Sequence, residues 1–71
     1  MKPSLTDRQS DVLRLKATGL TNKCIAREMG LSYDRIKDIS SEIRVKFQAK
    51  GDFCEVILRA ERLGMLAGVH V

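Results

Sequence analysis

Tryptophan is absent from this 71-residue chain, which has one tyrosine, two phenylalanines, two cysteines, one histidine and one proline. Each scarcity removes a class of function. With Tyr33, Phe47 and Phe53 as its whole aromatic content, the chain has no stacking platform for single-stranded nucleic acid. Cys24 and Cys54 make no disulfide framework and fit a reducing compartment, where they read as small apolar core or interface residues. Together with His70 they lack ligand-pair spacing and fall short of the about four ligands that zinc takes, so no metal or cofactor is expected. His70 lies in a terminal tail without a partner for acid–base or nucleophilic work. No glycine-rich loop is present to cradle a phosphate, and the chain is not expected to be an enzyme. No apolar run approaches the ~20 residues that cross a bilayer, and no charged segment leads into an apolar stretch at the start. The expected location is the cytoplasm, with no membrane partner.

What is present is charge and helix. Thirteen Lys and Arg against nine Asp and Glu give a formal charge of +4 and a pI near 9.4. That balance favours a polyanionic partner. The length holds one domain over residues 1–71, with its core expected over about 5–65 and a tail over 66–71. A chain this short buries only ~60% of its unfolded surface, so association with another subunit would add stability that a small core lacks.

Helix signals recur four times. Thr6 with Gln9 three residues on forms a capping box, Leu5 precedes it as a staple, and Asp7 suits the positive end of the helix dipole. Val12, Leu13, Leu15 and Ala17 line one side until Gly19 ends the helix, with Leu20 tucking back. Thr21 caps a short second helix, Asn22 to Met29, whose Ile25, Ala26 and Met29 share a narrow face and which Gly30 stops. Ser32 then caps the longest helix, from Tyr33 to about Phe47, expected to end near Lys50-Gly51. Its Ile36, Ile39, Ile43 and Phe47 recur at helical spacing and make a core-facing stripe. Asp52 with Glu55 resembles a second capping box, for a last helix from Phe53 to about Leu63 that Gly64 stops. Nothing alternates as a strand does, so the fold expected is all-α: four helices, bundle-like, containing a helix-turn-helix.

The second and third helices meet the requirements of that motif: a small apolar-faced helix, a tight glycine turn, and a longer helix with a free outer face. The run Leu5-Thr6-x-Arg8, Val12-Leu13-x-Leu15, Gly19-Leu20-Thr21-Asn22-Lys23-x-Ile25-Ala26, Gly30-Leu31-Ser32 and Ile36-Lys37 resembles the LuxR-type (GerE-like) family. The resemblance extends over about Leu5 to Met65 without a gap. It implies a four-helix DNA-binding domain of bacterial transcription regulators, whose third helix enters the major groove and whose fourth makes the dimer contact. Five positions depart from the family's pattern. Arg35 stands where Thr is usual, Ile39 for His, Glu42 for a polar amide, Gly51 for a small hydroxyl residue and Asp52 for Arg.

On the outer face of the third helix, opposite the isoleucines, lie Asp34, Lys37, Asp38, Ser41, Val45 and Gln48, with Glu42 and Arg44 on the flanks. Lys37, Asp38, Ser41, Arg44 and Gln48 are the candidate base contacts, since their donors and acceptors match base edges in the major groove. Val45 suits a thymine methyl. Thr21, Lys23, Arg27, Ser32, Arg35, Lys46 and Lys50 are the candidate phosphate contacts, through positive charge or through helix N-termini. In the last helix Phe53, Val56, Ile57, Ala60 and Leu63 form one apolar stripe, while Cys54 and Leu58 sit on another side. Cys54, Leu58, Glu61 and Met65 are therefore the candidate dimer surface, with packing of Met65, Leu66 and Val69 over it as the alternative. The expected partners are double-stranded DNA and a second copy of the chain. A second reading gives the acidic face of Asp34, Asp38 and Glu42 more weight: an interaction module that dimerises with a larger LuxR-type regulator and inhibits it. No receiver or ligand-binding domain fits this length, and Met1 with the tail favours a stand-alone regulator over a fragment.

Overall fold

The computed structural model describes residues 3–66. They form α1 (Asp7–Ala17), α2 (Asn22–Met29), α3 (Tyr33–Lys46) and α4 (Phe53–Arg62), with no strand among them. Side-chain caps start each helix where the sequence places one. Thr6 accepts from the Gln9 backbone N–H while Gln9 Oε1 accepts from the Thr6 N–H, each at 3.1 Å, closing the capping box. Thr21 and Ser32 accept from the N–H groups of Cys24 and Arg35. The start of α4 differs from expectation. Asp52 caps by accepting from Cys54 N–H, but Glu55 reaches one residue further back, to the N–H of Gly51, so no capping box forms.

The helix ends share one device. After α1, α3 and α4 a left-handed residue turns the chain, and two successive N–H groups bond back into the last turn. Gly19 and Gly64 supply the positive φ for α1 and α4, but at α3 the residue is Gln48, with φ 55°. The helix bounds agree with the reading of Tyr33 to about Phe47, and only the stop expected near Lys50-Gly51 is corrected. The helix stops at Lys46, with Gln48 N–H on Val45 O and Ala49 N–H on Arg44 O, both 3.0 Å, well before Lys50-Gly51. A side chain in that conformation crowds its own carbonyl. A Gln48→Gly variant is therefore expected to gain about 0.5–1 kcal/mol in urea unfolding.

The α3 helix packs against each of the other three and supplies the centre of the core. Ile36, Ile39 and Ile43 are sealed against Val12 and Leu13 of α1, Ile25 of α2 and Val56 of α4, while Phe47 closes one end. Arg59 of α4 donates to the Phe47 carbonyl at 2.6 Å, fastening the end of α3 to α4. Two further readings are corrected. Leu66, assigned to the tail, is a core residue, because the turn at Gly64 and the Met65 N–H bond to Ala60 O fold the chain back over α4. Cys24 and Cys54, read as core or interface residues, are both exposed free thiols, so only the core half of that reading falls. Leu20 also remains on the surface. Val69 and His70 lie outside the described residues.

Candidate nucleic-acid interface

Gly30, at φ 67°, turns the chain sharply out of α2, and Leu31 N–H returns to Ala26 O at 2.9 Å. Ser32 then caps α3, so only Leu31 and Ser32 separate the turn from the next helix. Because the isoleucine stripe holds α3 in the core by one side, its opposite side projects. Asp34, Lys37, Asp38, Ser41 and Val45 are all exposed there, and Val45, an apolar residue, is 75% exposed. An α-helix with its side chains is about 10–12 Å across, and the major groove is about 12 Å wide. A projecting helix of this kind fits it.

The other side chains expected on this face lie elsewhere. Gln48, beyond the helix end, lines a depression with Pro3, Arg59 and Leu63, apart from Lys37 and Ser41. Arg44 is half-buried; its Nη2 donates to Gly51 O at 2.8 Å and so holds the loop between α3 and α4. Glu42 turns towards α1, where it accepts from Gln9 Nε2 at 3.0 Å and lies 3.8 Å from Arg35. The acids on the outer face are therefore Asp34 and Asp38, without Glu42. Lys46 sits on that same flank and donates to Ser4 O and Gln9 Oε1, at 2.8 and 2.7 Å. Arg35 and Lys46 remain exposed, each with a partner inside the fold.

The opposite flank gathers the start of α2. Thr21, Asn22 and Lys23 share a shallow depression with Tyr33. Lys37 Nζ lies 5.5 Å from the Tyr33 ring centroid, a cation–π contact that keeps the ammonium near this edge. Arg27, one helical turn beyond Lys23, is exposed, as are Thr21, Ser32 and Lys50. On α4, Cys54, Leu58 and Glu61 are exposed, whereas Met65 packs against the core.

Four polar residues in or beside the core take contacts or places that the sequence reading did not assign to them. Gln9, 7% exposed, serves the cap and both Glu42 and Lys46. Ser40, also 7% exposed, lies inside the α3 stripe, one turn after Ile36, and this spacing was the signal for its burial. Lys16 and Asn22 line a cavity with Lys37, Ser40, Ser41 and Arg44. Burial, and then the Arg44 guanidinium, push the Lys16 ammonium below the ordinary lysine value. Among the described residues no group of metal-ligating side chains forms, and no helix is long and apolar enough to cross a membrane.

A small capped helix, a glycine turn and a projecting third helix define a helix-turn-helix protein. The family model of bacterial regulatory proteins of the luxR family (GerE) matches residues 3–59, and the chain belongs to that family of DNA-binding transcription regulators. It is 34% identical over 64 residues to Nodulation protein W of Bradyrhizobium diazoefficiens, a match that covers 90% of this chain and 28% of that protein. The chain thus spans just over a quarter of that relative's length. No solved structure matches it significantly.

Proposed function

We propose that the chain acts in transcription regulation by binding double-stranded DNA as a homodimer, with α3 of each copy in the major groove of one half-site. The observation that carries this reading is the outer face of α3, where Lys37, Asp38, Ser41 and Val45 stand exposed on a helix anchored by fully buried isoleucines. Lys37 donates to guanine, Asp38 accepts from cytosine, Ser41 serves either, and Val45 meets a thymine methyl. Thr21, Lys23, Arg27, Ser32 and Lys50 take phosphates around it, and Arg35 and Lys46 serve the other flank. Arg44 and Gln48 are withdrawn from base contact. Leu58, 56% exposed on a helix whose other side is already in the core, supports a two-fold contact through α4 with Cys54 and Glu61. Met65 at most edges that contact.

The test is selection of bound duplexes from a random pool, followed by salt titration on the winner. The expected product is an inverted repeat with half-sites about one helical turn apart, about 34–36 Å. Its log affinity falls linearly with log salt, with a slope of about −4 or steeper for a dimer touching five or more phosphates. A Leu58→Glu variant is expected to sediment as a monomer, to melt at a lower temperature that no longer depends on protein concentration, and to bind duplex more weakly. Asp34 and Asp38 favour a second reading, in which the chain dimerises with a larger regulator of the same family and inhibits it. Failure of every duplex to bind at low salt, with dimerisation intact, would select that reading.

A further inference from the structure

Three buried side-chain polar atoms lack a hydrogen-bond partner among the described residues: Asn22 Oδ1, Ser40 Oγ and Arg44 Nε. All three residues line one cavity of about 290 Å³, where the end of α1, the start of α2, the middle of α3 and the start of α4 meet. Buried polar groups are nearly always satisfied, so three orphans on residues that line one space point to something that fills it. The charge lining the cavity says what kind of group. Lys16, Lys37 and Arg44 face a single carboxylate, Asp52, whose Oδ1 already accepts from the Cys54 N–H. None of the three cations joins an ion pair among the described residues.

We propose that this cavity binds one phosphate-class oxyanion, and that on DNA its occupant is a backbone phosphodiester beside the groove that α3 enters. The first half stands on the cavity alone; the second rests on the DNA-binding reading and deepens it. Ser40 O–H, Arg44 Nε–H and the Lys16 ammonium donate, and rotation of the Asn22 amide brings its NH₂ to the same point. The Phe53 ring holds Lys16 Nζ in place, 4.5 Å from its centroid. An anion offsets both causes that depress the Lys16 ammonium, its burial and its repulsion by Arg44. Lys37 belongs to the cavity and to the outer face of α3 at once, which joins this pocket to the groove-facing surface. A phosphodiester is therefore the natural occupant when DNA is bound.

The probe is inorganic phosphate, titrated into the whole chain at constant ionic strength and read by melting temperature and amide NMR shifts. The melting temperature should rise, with shifts concentrated at Lys16, Asn22, Ser40 and Ser41. Ser40→Ala and Lys16→Met should each weaken phosphate binding by about tenfold or more, the loss of one charge-assisted hydrogen bond. Ser40→Ala removes an orphan hydroxyl and should melt no lower than the parent, so unfolding does not mimic the effect. Arg14→Met, exposed and off the cavity, should change nothing. With duplex, both cavity variants should lower affinity, and Lys16→Met, which removes a cation, should also make the salt slope shallower by about one per protomer. Phosphate binding that survives Ser40→Ala and Lys16→Met, or no phosphate response in the parent, overturns the site. Phosphate binding lost without any change in duplex affinity or slope overturns the phosphodiester half and leaves a free-phosphate pocket. Absence of all duplex binding counts against the DNA reading, while the phosphate titration still decides the cavity.

Discussion

A Lys37→Glu chain is expected to bind its selected duplex about 100-fold more weakly at 0.1 M salt, while melting at the parental temperature. Lys37 is exposed on α3 and contributes nothing to the core, so its replacement spares the fold. Removing a good hydrogen bond to a base costs about 1–3 kcal/mol by itself. The new carboxylate adds repulsion from phosphates and stands beside Asp34 and Asp38, which turns the outer face uniformly acidic. Titrating labelled duplex against both chains measures the effect. Lys37→Ala separates two roles. If the ammonium reads a base, the variant relaxes selectivity at one position of the half-site; if it pairs with a phosphate, the variant weakens all sequences alike. Unchanged affinity in the Glu variant would remove α3 from the interface.

Truncation of Ile43 to Ala is expected to be the most damaging single change to the fold. Ile43 is fully buried at the centre of α3, in the cluster that joins α1, α3 and α4. Removing a side chain of that size from a packed core costs about 2–4 kcal/mol, because the cavity left behind closes only in part. A domain this small has little stability in reserve, and the melting temperature should fall by about 10–25 °C. Val45, two residues away on the same helix and 75% exposed, is the internal control. Val45→Ala should stay within about 0.5 kcal/mol of the parent. A thermal melt followed by helical circular dichroism reads both. Equal losses at the two positions would contradict the division of α3 into a buried and a projecting side.

The helices and most of their starts were legible because their signals are local. Thr6 with Gln9, Thr21 and Ser32 cap through atoms within three residues, and the Ile36/Ile39/Ile43 period places one side of α3 in the core whatever lies around it. The end of α3 was legible only in part, since the isoleucine period runs to Phe47 but nothing local marks the turn that follows. Its left-handed residue is Gln48, with no glycine to mark it, and the backbone turns there because Arg59 and the core hold Phe47. The candidate interface was legible in the same measure. Lys37, Asp38, Ser41 and Val45 are exposed by helical period alone. Arg44, Glu42 and Lys46 have partners seven to forty-two residues away, which no local pattern reveals.

The sequence by itself therefore determined the all-helical architecture, the glycine turn between α2 and α3, the buried stripe, and membership of a DNA-binding family through motifs that follow the chain in order. Only the tertiary structure decided which charges remain on the outer face of α3. It drew Glu42 to Gln9, tied Arg44 to Gly51, and brought Lys16, Asn22, Ser40 and Asp52 around one cavity. The physical reason is range. Capping and periodicity act within a turn or two of helix, whereas the pairing of a charge is settled by whichever helix packs against it.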